Sequence, residues 1–237
     1  MATALVAVAC DGASRNGSDN ATSSASRSGR MSAAAEVPAV DVRRLPPGRN
    51  QQIPDRMLDS ADAGRVLGAA SASVPIYVIG DYACAACRVW FETTLPVIRR
   101  DYLETGKARL TWVHYPLREH PAAVRAASAA LCASVQGKFW ESSARIYAAQ
   151  AQWNDTRAAD ANRLLDSLAT VDGVDGYALR NCTDSGRLLR RVRYDIDWAD
   201  STQMGAPPLV MVGTRRLAGT APLAMLRAVI DSVLTGK

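Results

Sequence analysis

The sequence predicts an α/β fold: a β-α-β unit, then a block of helices inserted over about residues 120–200, then a closing β-β-α unit. Three observations predict it. Pro75-Ile76-Tyr77-Val78-Ile79-Gly80 is a short apolar run with the bulk of a buried strand, and it leads directly into a helix-like stretch. Ala108-Arg109-Leu110-Thr111-Trp112-Val113 alternates in character as a second strand does. Near the C-terminus, two short runs flank Gly213-Thr214 as the arms of a hairpin.

Taken in order, residues 11–58 are poor in bulky apolar side chains. They are rich first in Ser, Gly, Asn and Asp, then in proline at Pro38, Pro46, Pro47 and Pro54. Such a composition buries too little surface to offset the entropy of ordering, so a flexible linker is expected, with a short edge element near residues 37–42. The folded domain is expected over 59–237. Its first strand covers 76–79, and a helix over 87–100 is bent at Pro96, which cannot donate to the helical ladder. The second strand, 108–113, runs into His114. Helices are expected over 122–135 and 138–152, split by Gly137, and further helical segments over 159–170, 174–182 and 185–199. The hairpin pairs 209–212 with 215–218, and an amphipathic helix over 223–234 closes the chain.

Bulk properties narrow the function. The 237 residues suffice for one domain with a sizeable core plus extra segments, and 48% hydrophobic with 22% charged residues is ordinary for a soluble protein. The formal charge of +5 comes from arginines scattered along the predicted helices, with no basic-aromatic stripe, so no nucleic-acid partner is expected. No stretch of ~20 apolar residues is present to span a membrane as a helix.

The chemistry is concentrated in Cys84-Ala85-Ala86-Cys87, between the first strand and the first long helix. Two cysteines three apart can close a disulfide across the first helical turn. The first thiol then meets unpaired N–H groups and the positive end of the helix dipole, which stabilise a thiolate and make it a nucleophile. That arrangement suits thiol–disulfide exchange. The same motif is also half of a zinc site, or two inert buried cysteines; its place beside a strand–helix pattern favours redox chemistry.

The surroundings resemble the DsbA-like thioredoxin family of bacterial cell-envelope oxidoreductases. The resemblance is carried by Arg65-Val66-Leu67-Gly68, Asp81-Tyr82-Ala83-Cys84-Ala85-Ala86-Cys87-Arg88, His120-Pro121-Ala122-Ala123, Ala130-Leu131-Cys132-Ala133, Gln136-Gly137-Lys138-Phe139-Trp140-Glu141, and Gly205-Ala206-Pro207-Pro208-Leu209-Val210 with Gly213. It spans roughly residues 60–236 and implies a thioredoxin fold with a helical insertion. It also implies a protein thiol:disulfide oxidoreductase in which Cys84 attacks and Cys87 resolves the mixed disulfide. Oxidase, isomerase and reductase directions all remain open. The implied partners are cysteine-containing exported proteins and a redox partner that resets the pair; no cofactor is implied. Pro207 matches the family's cis-proline, with Ala206 before it offering backbone to an extended substrate.

Departures from the family matter. Ala85-Ala86 supply no side-chain donor to a thiolate, so a strongly oxidising potential is not expected. The buried acid that the family often carries six residues before the first cysteine is Val78 here, and a neutral side chain cannot be a base. Asp81 is read as a cap of the helix. Some family members bridge their helical segments, which implies a Cys132–Cys182 disulfide; two buried free thiols are the alternative, because spacing does not determine connectivity.

Cys10 is the fifth cysteine. Ala7-Val8-Ala9-Cys10 ends an apolar run and is similar to a bacterial lipobox, which implies lipid on Cys10, membrane attachment through it and an extracytoplasmic location. Yet no Lys or Arg precedes the run, as a signal peptide needs. Either residues 1–10 are a truncated signal or the likeness is chance, leaving another exported form or a cytosolic protein. No metal site is expected, because His114 and His120, the two histidines, would both have to converge on the motif to complete four ligands. Trp90, Phe91, Phe139, Trp140 and Tyr147 fall at helical spacing and read as core. The rival to the enzyme is a non-catalytic module of the same fold, either a peptide-holding chaperone or a metal carrier.

Overall fold

A computed structural model describes residues 41–44, 56–155 and 157–236. At its centre β2 (Val74–Gly80) lies parallel to β3 (Ala108–His114) over seven residue pairs, from Val74 opposite Ala108 to Gly80 opposite His114. On the other side of β2 runs antiparallel β4 (Leu209–Val212), followed by β5 (Arg215–Ala218) at the edge. The opposite edge is β1 (Val66–Leu67), antiparallel to β3, giving the order β1-β3-β2-β4-β5. β1 was not legible as a strand, since two residues carry no alternation.

The crossover from β2 to β3 is one helical run in four parts: α2 (Ala85–Val89), a π-helical turn (Trp90–Thr94), α3 (Leu95–Ile98) and a second π-helical turn (Arg99–Leu103). Pro96 explains the first widening. It has no N–H to donate, and just ahead of it the Leu95 N–H reaches back five residues to the Trp90 carbonyl. The run buries Trp90, Phe91, Leu95, Ile98, Tyr102 and Leu103 against the sheet.

The inserted block holds α4 (Pro121–Ser134), α5 (Phe139–Ala148), α6 (Gln150–Asn154), α7 (Ala158–Ala169), α8 (Gly176–Ser185) and α9 (Leu189–Ser201). α4 is buried at every residue over Ala126–Ser134, its alanines letting neighbouring helices approach closely. Gly137, at φ +73°, ends it in a left-handed turn, with its N–H on the Ser134 carbonyl at 2.8 Å. Cys132 of α4 and Cys182 of α8 are joined by a disulfide, 50 residues apart in sequence. α10 (Leu223–Leu234) packs on β2 and β4.

One expectation needs correction. The linker expected over 11–58 ends earlier: α1 (Arg56–Gly64) is helical from Arg56, and a 3-10 turn at Val42–Arg44 buries Val42 in the core while Arg43 pairs with Asp200 at 3.3 Å. The remaining tract, including Cys10 and residues 1–10, lies outside the described residues. His114, at the end of β3, is buried in a polar cluster. Its Nδ1 and its backbone N–H both meet Asp195 Oδ2 at 3.0 Å, beside the Arg65 guanidinium at 2.7 Å from the same oxygen. Burial pushes the proton affinity of this imidazole down, so the charges that matter there are those of Arg65 and Asp195.

Candidate functional site

The cysteine motif stands at the end of β2, where the chain must turn tightly. Gly80, the last residue of β2, leaves room for the Trp112 ring: a Cβ there would lie 2.0 Å from it. Cys84 is itself the N-cap of α2, in extended geometry, and its Sγ accepts the Cys87 N–H at 3.2 Å. The helix-capping role therefore belongs to Cys84 and not to Asp81. Cys84 is half-buried, Cys87 is fully buried, and the two thiols are not bridged.

These differences in access set different proton affinities. The Cys84 thiol is held down to about 7, chiefly by the hydrogen bond from the Cys87 thiol, with the backbone N–H groups of Cys87 and Ala86 adding to it against the opposing pull of burial. Burial, and the role of donor to Cys84, push the Cys87 thiol far up. Cys84 is thus the thiolate near neutral pH and Cys87 the protonated partner. The donors missing from Ala85 and Ala86 are replaced by main chain and by the second cysteine.

Asp81 does more than the sequence suggested. Its carboxylate is buried and accepts from the Ala83 N–H at 2.8 Å, the Leu117 N–H at 2.9 Å and His120 Nδ1 at 2.6 Å. Its own N–H points at Cys87 Sγ at 3.5 Å. Val78, in the position of the family's acid, is buried in the core. Sequence reasoning also missed the clamp that the inserted helices place on this loop. Gln150 Nε2 donates to the carbonyls of Tyr82 at 2.6 Å and Cys84 at 3.0 Å, the Tyr82 hydroxyl meets Ser143 Oγ at 2.7 Å, and the Tyr147 hydroxyl donates to the Asp81 carbonyl at 3.3 Å. Nothing in a run such as Ala148-Ala149-Gln150-Ala151-Gln152 distinguishes the one glutamine that turns inward. Phe91, Phe139, Trp140 and Tyr147 pack as an aromatic core behind it, with ring centroids 4.9–6.1 Å apart.

The connection from α9 to β4 comes to the cysteines at Pro207, whose carbonyl oxygen lies 3.9 Å from Cys84 Sγ. The cis peptide is Pro207–Pro208, so the cis-proline is Pro208 and not Pro207, and the residue before it is Pro207 and not Ala206. Of a consecutive proline pair, one cannot tell from sequence which one carries the cis bond. Ala206 is exposed and one residue further away along the chain. Gly219 seats the turn: its N–H donates to the Pro208 carbonyl at 2.8 Å, and a Cβ at Gly219 would come within 2.5 Å of the Pro208 ring. Among the described residues, no three His, Cys, Asp or Glu side chains converge as a metal centre would need, and no helix is long and apolar enough to cross a membrane.

Comparison with known proteins places these features in a family. Residues 60–232 match the family model described as Thioredoxin. The probable disulfide bond formation protein D of Bacillus anthracis is 29% identical over 149 residues, covering 62% of this chain and 68% of that protein. The Na(+)/H(+) antiporter NhaA 1 of Salinispora arenicola is 30% identical over 203 residues, 81% of this chain; the chain spans only 29% of the antiporter's length. Among solved structures, oxidised BdbD from Bacillus subtilis has a TM-score of 0.64 at 22% identity, covering 73% of this chain and 94% of that one. Chlamydia trachomatis DsbA has a TM-score of 0.62 at 21% identity, covering 71% and 90%. At these identities the structural likeness speaks to the fold.

Proposed function

The chain belongs to the thioredoxin family, and from that premise we propose that it is a protein thiol:disulfide oxidoreductase that exchanges disulfides with the cysteines of exported proteins through Cys84 and Cys87. The observation that carries this reading is the asymmetry of the pair. One sulfur is accessible and stabilised as a thiolate, and the other is buried and protonated, three residues apart at a helix start.

When the pair is oxidised, a substrate thiolate attacks Cys84 Sγ. The Cys84–Cys87 bond breaks, the electron pair leaves on Cys87 Sγ, and that sulfur takes up a proton. The mixed disulfide between substrate and Cys84 is then attacked by a second substrate thiolate, which expels Cys84 as a thiolate. Two substrate thiols have become a disulfide, and two electrons have passed to the cysteine pair. A redox partner must remove those two electrons to reset it. When the pair is reduced, the same steps run backwards, with Cys84 attacking a substrate disulfide. The depressed proton affinity of Cys84 makes it the better leaving group and the better-populated nucleophile, so both directions pass through its sulfur.

An extended substrate docks along Ala206 and Pro207, beside Cys84. Proline has no N–H, so at Pro207 the protein offers only a carbonyl acceptor. The disulfide between Cys132 and Cys182 serves stability and takes no part in exchange. Substrates of this kind and a stable structural disulfide fit an oxidising, extracytoplasmic compartment, with lipid on Cys10 as the means of attachment.

The reading is tested with a reduced, unfolded ribonuclease as the substrate for oxidation and with insulin for reduction. The unaltered protein catalyses disulfide transfer in at least one assay. Cys84→Ser abolishes it, and Cys87→Ser accumulates a mixed disulfide with substrate that a reductant releases. Disulfide transfer that survives Cys84→Ser together with Cys87→Ser contradicts the reading.

A further inference from the structure

Asp81 joins more of the cysteine loop's hydrogen bonds than any of its neighbours, through its N–H, its carbonyl and its carboxylate, and the exchange steps give this residue no task. Its N–H points at Cys87 Sγ, and its carbonyl accepts the Cys84 N–H at 3.2 Å and the Tyr147 hydroxyl at 3.3 Å. Its carboxylate is 1% exposed. A buried anion beside two thiols opposes thiolate formation, and the Asp81 charge does raise the proton affinity of Cys84 and of Cys87. The chemistry at Cys84 needs the opposite.

His120 is the side chain that meets this carboxylate. The Ala83 and Leu117 N–H groups are fixed main-chain donors, but His120 Nδ1, at 2.6 Å from Oδ2, belongs to a side chain one-quarter exposed to solvent and able to carry a positive charge. Its placement is also unusual for its local structure. His120 occupies the N-cap position of α4, where Ser, Thr, Asp or Asn would normally cap the helix, yet it makes no capping hydrogen bond. Its side chain serves Asp81 instead. Two other ionisable groups touching the loop, Tyr82 and Tyr147, are held neutral by burial and supply no compensating charge.

We propose that His120 is a positioning residue for the cysteine pair: its proton on Nδ1, held against Asp81 Oδ2, masks the carboxylate from Cys84 and Cys87 and so sets how readily Cys84 exists as a thiolate. This rests on the thiol-exchange reading and deepens it. A chain without the family's acid at Val78 tunes its cysteines through a different carboxylate, and tunes that carboxylate through a histidine on the next helix.

The test is a double-variant cycle read as the Cys84 titration midpoint, followed by thiolate absorbance, and as the potential of the couple in a glutathione titration. Asp81→Asn removes the charge while keeping an acceptor for the Ala83 N–H. The midpoint falls by about half a unit to one unit, roughly 3- to 10-fold in thiolate equilibrium, and the couple becomes more oxidising by about 15–30 mV at ~30 mV per tenfold. His120→Ala unmasks the carboxylate and moves both readouts by a similar amount in the opposite direction. In the doubly substituted protein there is no charge left to unmask, so the midpoint equals that of Asp81→Asn alone. Single variants that shift the midpoint in the same direction, or a His120→Ala shift that is unchanged in the Asp81→Asn background, overturn the proposal. Should Asp81→Asn fail to fold, His120→Asn replaces it: the amide restores a donor, and the midpoint returns from the His120→Ala value towards that of the unaltered protein. A midpoint that stays with His120→Ala overturns the proposal equally. Failure of the parent reading looks different, because the unaltered protein would then transfer no disulfides whatever the variants do.

Discussion

The two cysteine pairs of this chain are built in opposite ways. Cys84 and Cys87 are three residues apart at the start of α2, with one sulfur half-exposed, backbone N–H groups aimed at it and no bond between them. Cys132 and Cys182 are 50 residues apart, on α4 and α8, packed in the core and bonded to each other. The sulfur chemistry is the same in both. Access and donors differ, and these decide which pair exchanges and which one only holds helices together.

The sharpest way to break the comparison is to remove a sulfur from each pair. Cys84→Ser should lower disulfide-exchange turnover by at least ~10³-fold, the scale on which loss of a nucleophile is felt, while leaving the thermal midpoint at pH 6 nearly unchanged. The reverse pattern is expected for Cys132→Ala with Cys182→Ala. Closing a loop of 50 residues is worth about 4 kcal/mol in the chain-entropy account, so the thermal midpoint should fall by about 8–16 °C, with exchange through Cys84 retained below it. Scanning calorimetry and an insulin-reduction assay on the same samples separate the two.

A smaller effect sharpens the comparison through pH. The Cys84 thiol is depressed in the folded protein to about 7 from an ordinary value of 9.0. A depressed acid stabilises the folded state above its unfolded pKa, and loses that contribution as pH falls through its folded pKa. The reduced protein should therefore gain stability relative to Cys84→Ser between pH 7 and 9, by about 1 kcal/mol once solvent screening of a half-exposed group is allowed for. Urea unfolding in the presence of reductant, at pH 6 and pH 9, measures it. A difference between the two proteins that is flat with pH would contradict the linkage. Smaller still is the effect of Pro207→Thr, which adds an N–H where a docked strand would use one. It should lower KM for a peptide substrate about 2- to 5-fold at nearly constant kcat, as one net hydrogen bond of ~0.5–1 kcal/mol would.

The contrast also explains what the sequence could disclose. The strand before Cys84, the alternation of 108–113, the glycine at 137 and the closing helix follow from local rules of periodicity and capping, and the structure has them where those rules put them. The motif itself is local, so its chemistry was legible too. What was not legible depends on contacts between distant segments. Asp81 looked like a helix cap because nothing local shows that His120, 39 residues on, would reach it. Gln150 is one of several polar residues on its helix until the fold turns it onto the Tyr82 and Cys84 carbonyls. Pro208 and Pro207 are equivalent in sequence, and only their setting against Gly219 and Cys84 separates them. Val42 and Arg43 sit in a stretch whose composition reads as linker, yet the first is buried and the second ion-paired.

The central claim is that Cys84 is the reactive thiolate and Cys87 its buried, protonated partner. It is tested most directly by the pH dependence of alkylation of the reduced protein, with each labelled cysteine identified by mass spectrometry. The account predicts that iodoacetamide labels Cys84 with a rate midpoint near pH 7, and that Cys87 stays unlabelled until the protein unfolds. A Cys84 midpoint at the ordinary thiol value of 9.0, or labelling of Cys87 at an equal rate, would contradict it.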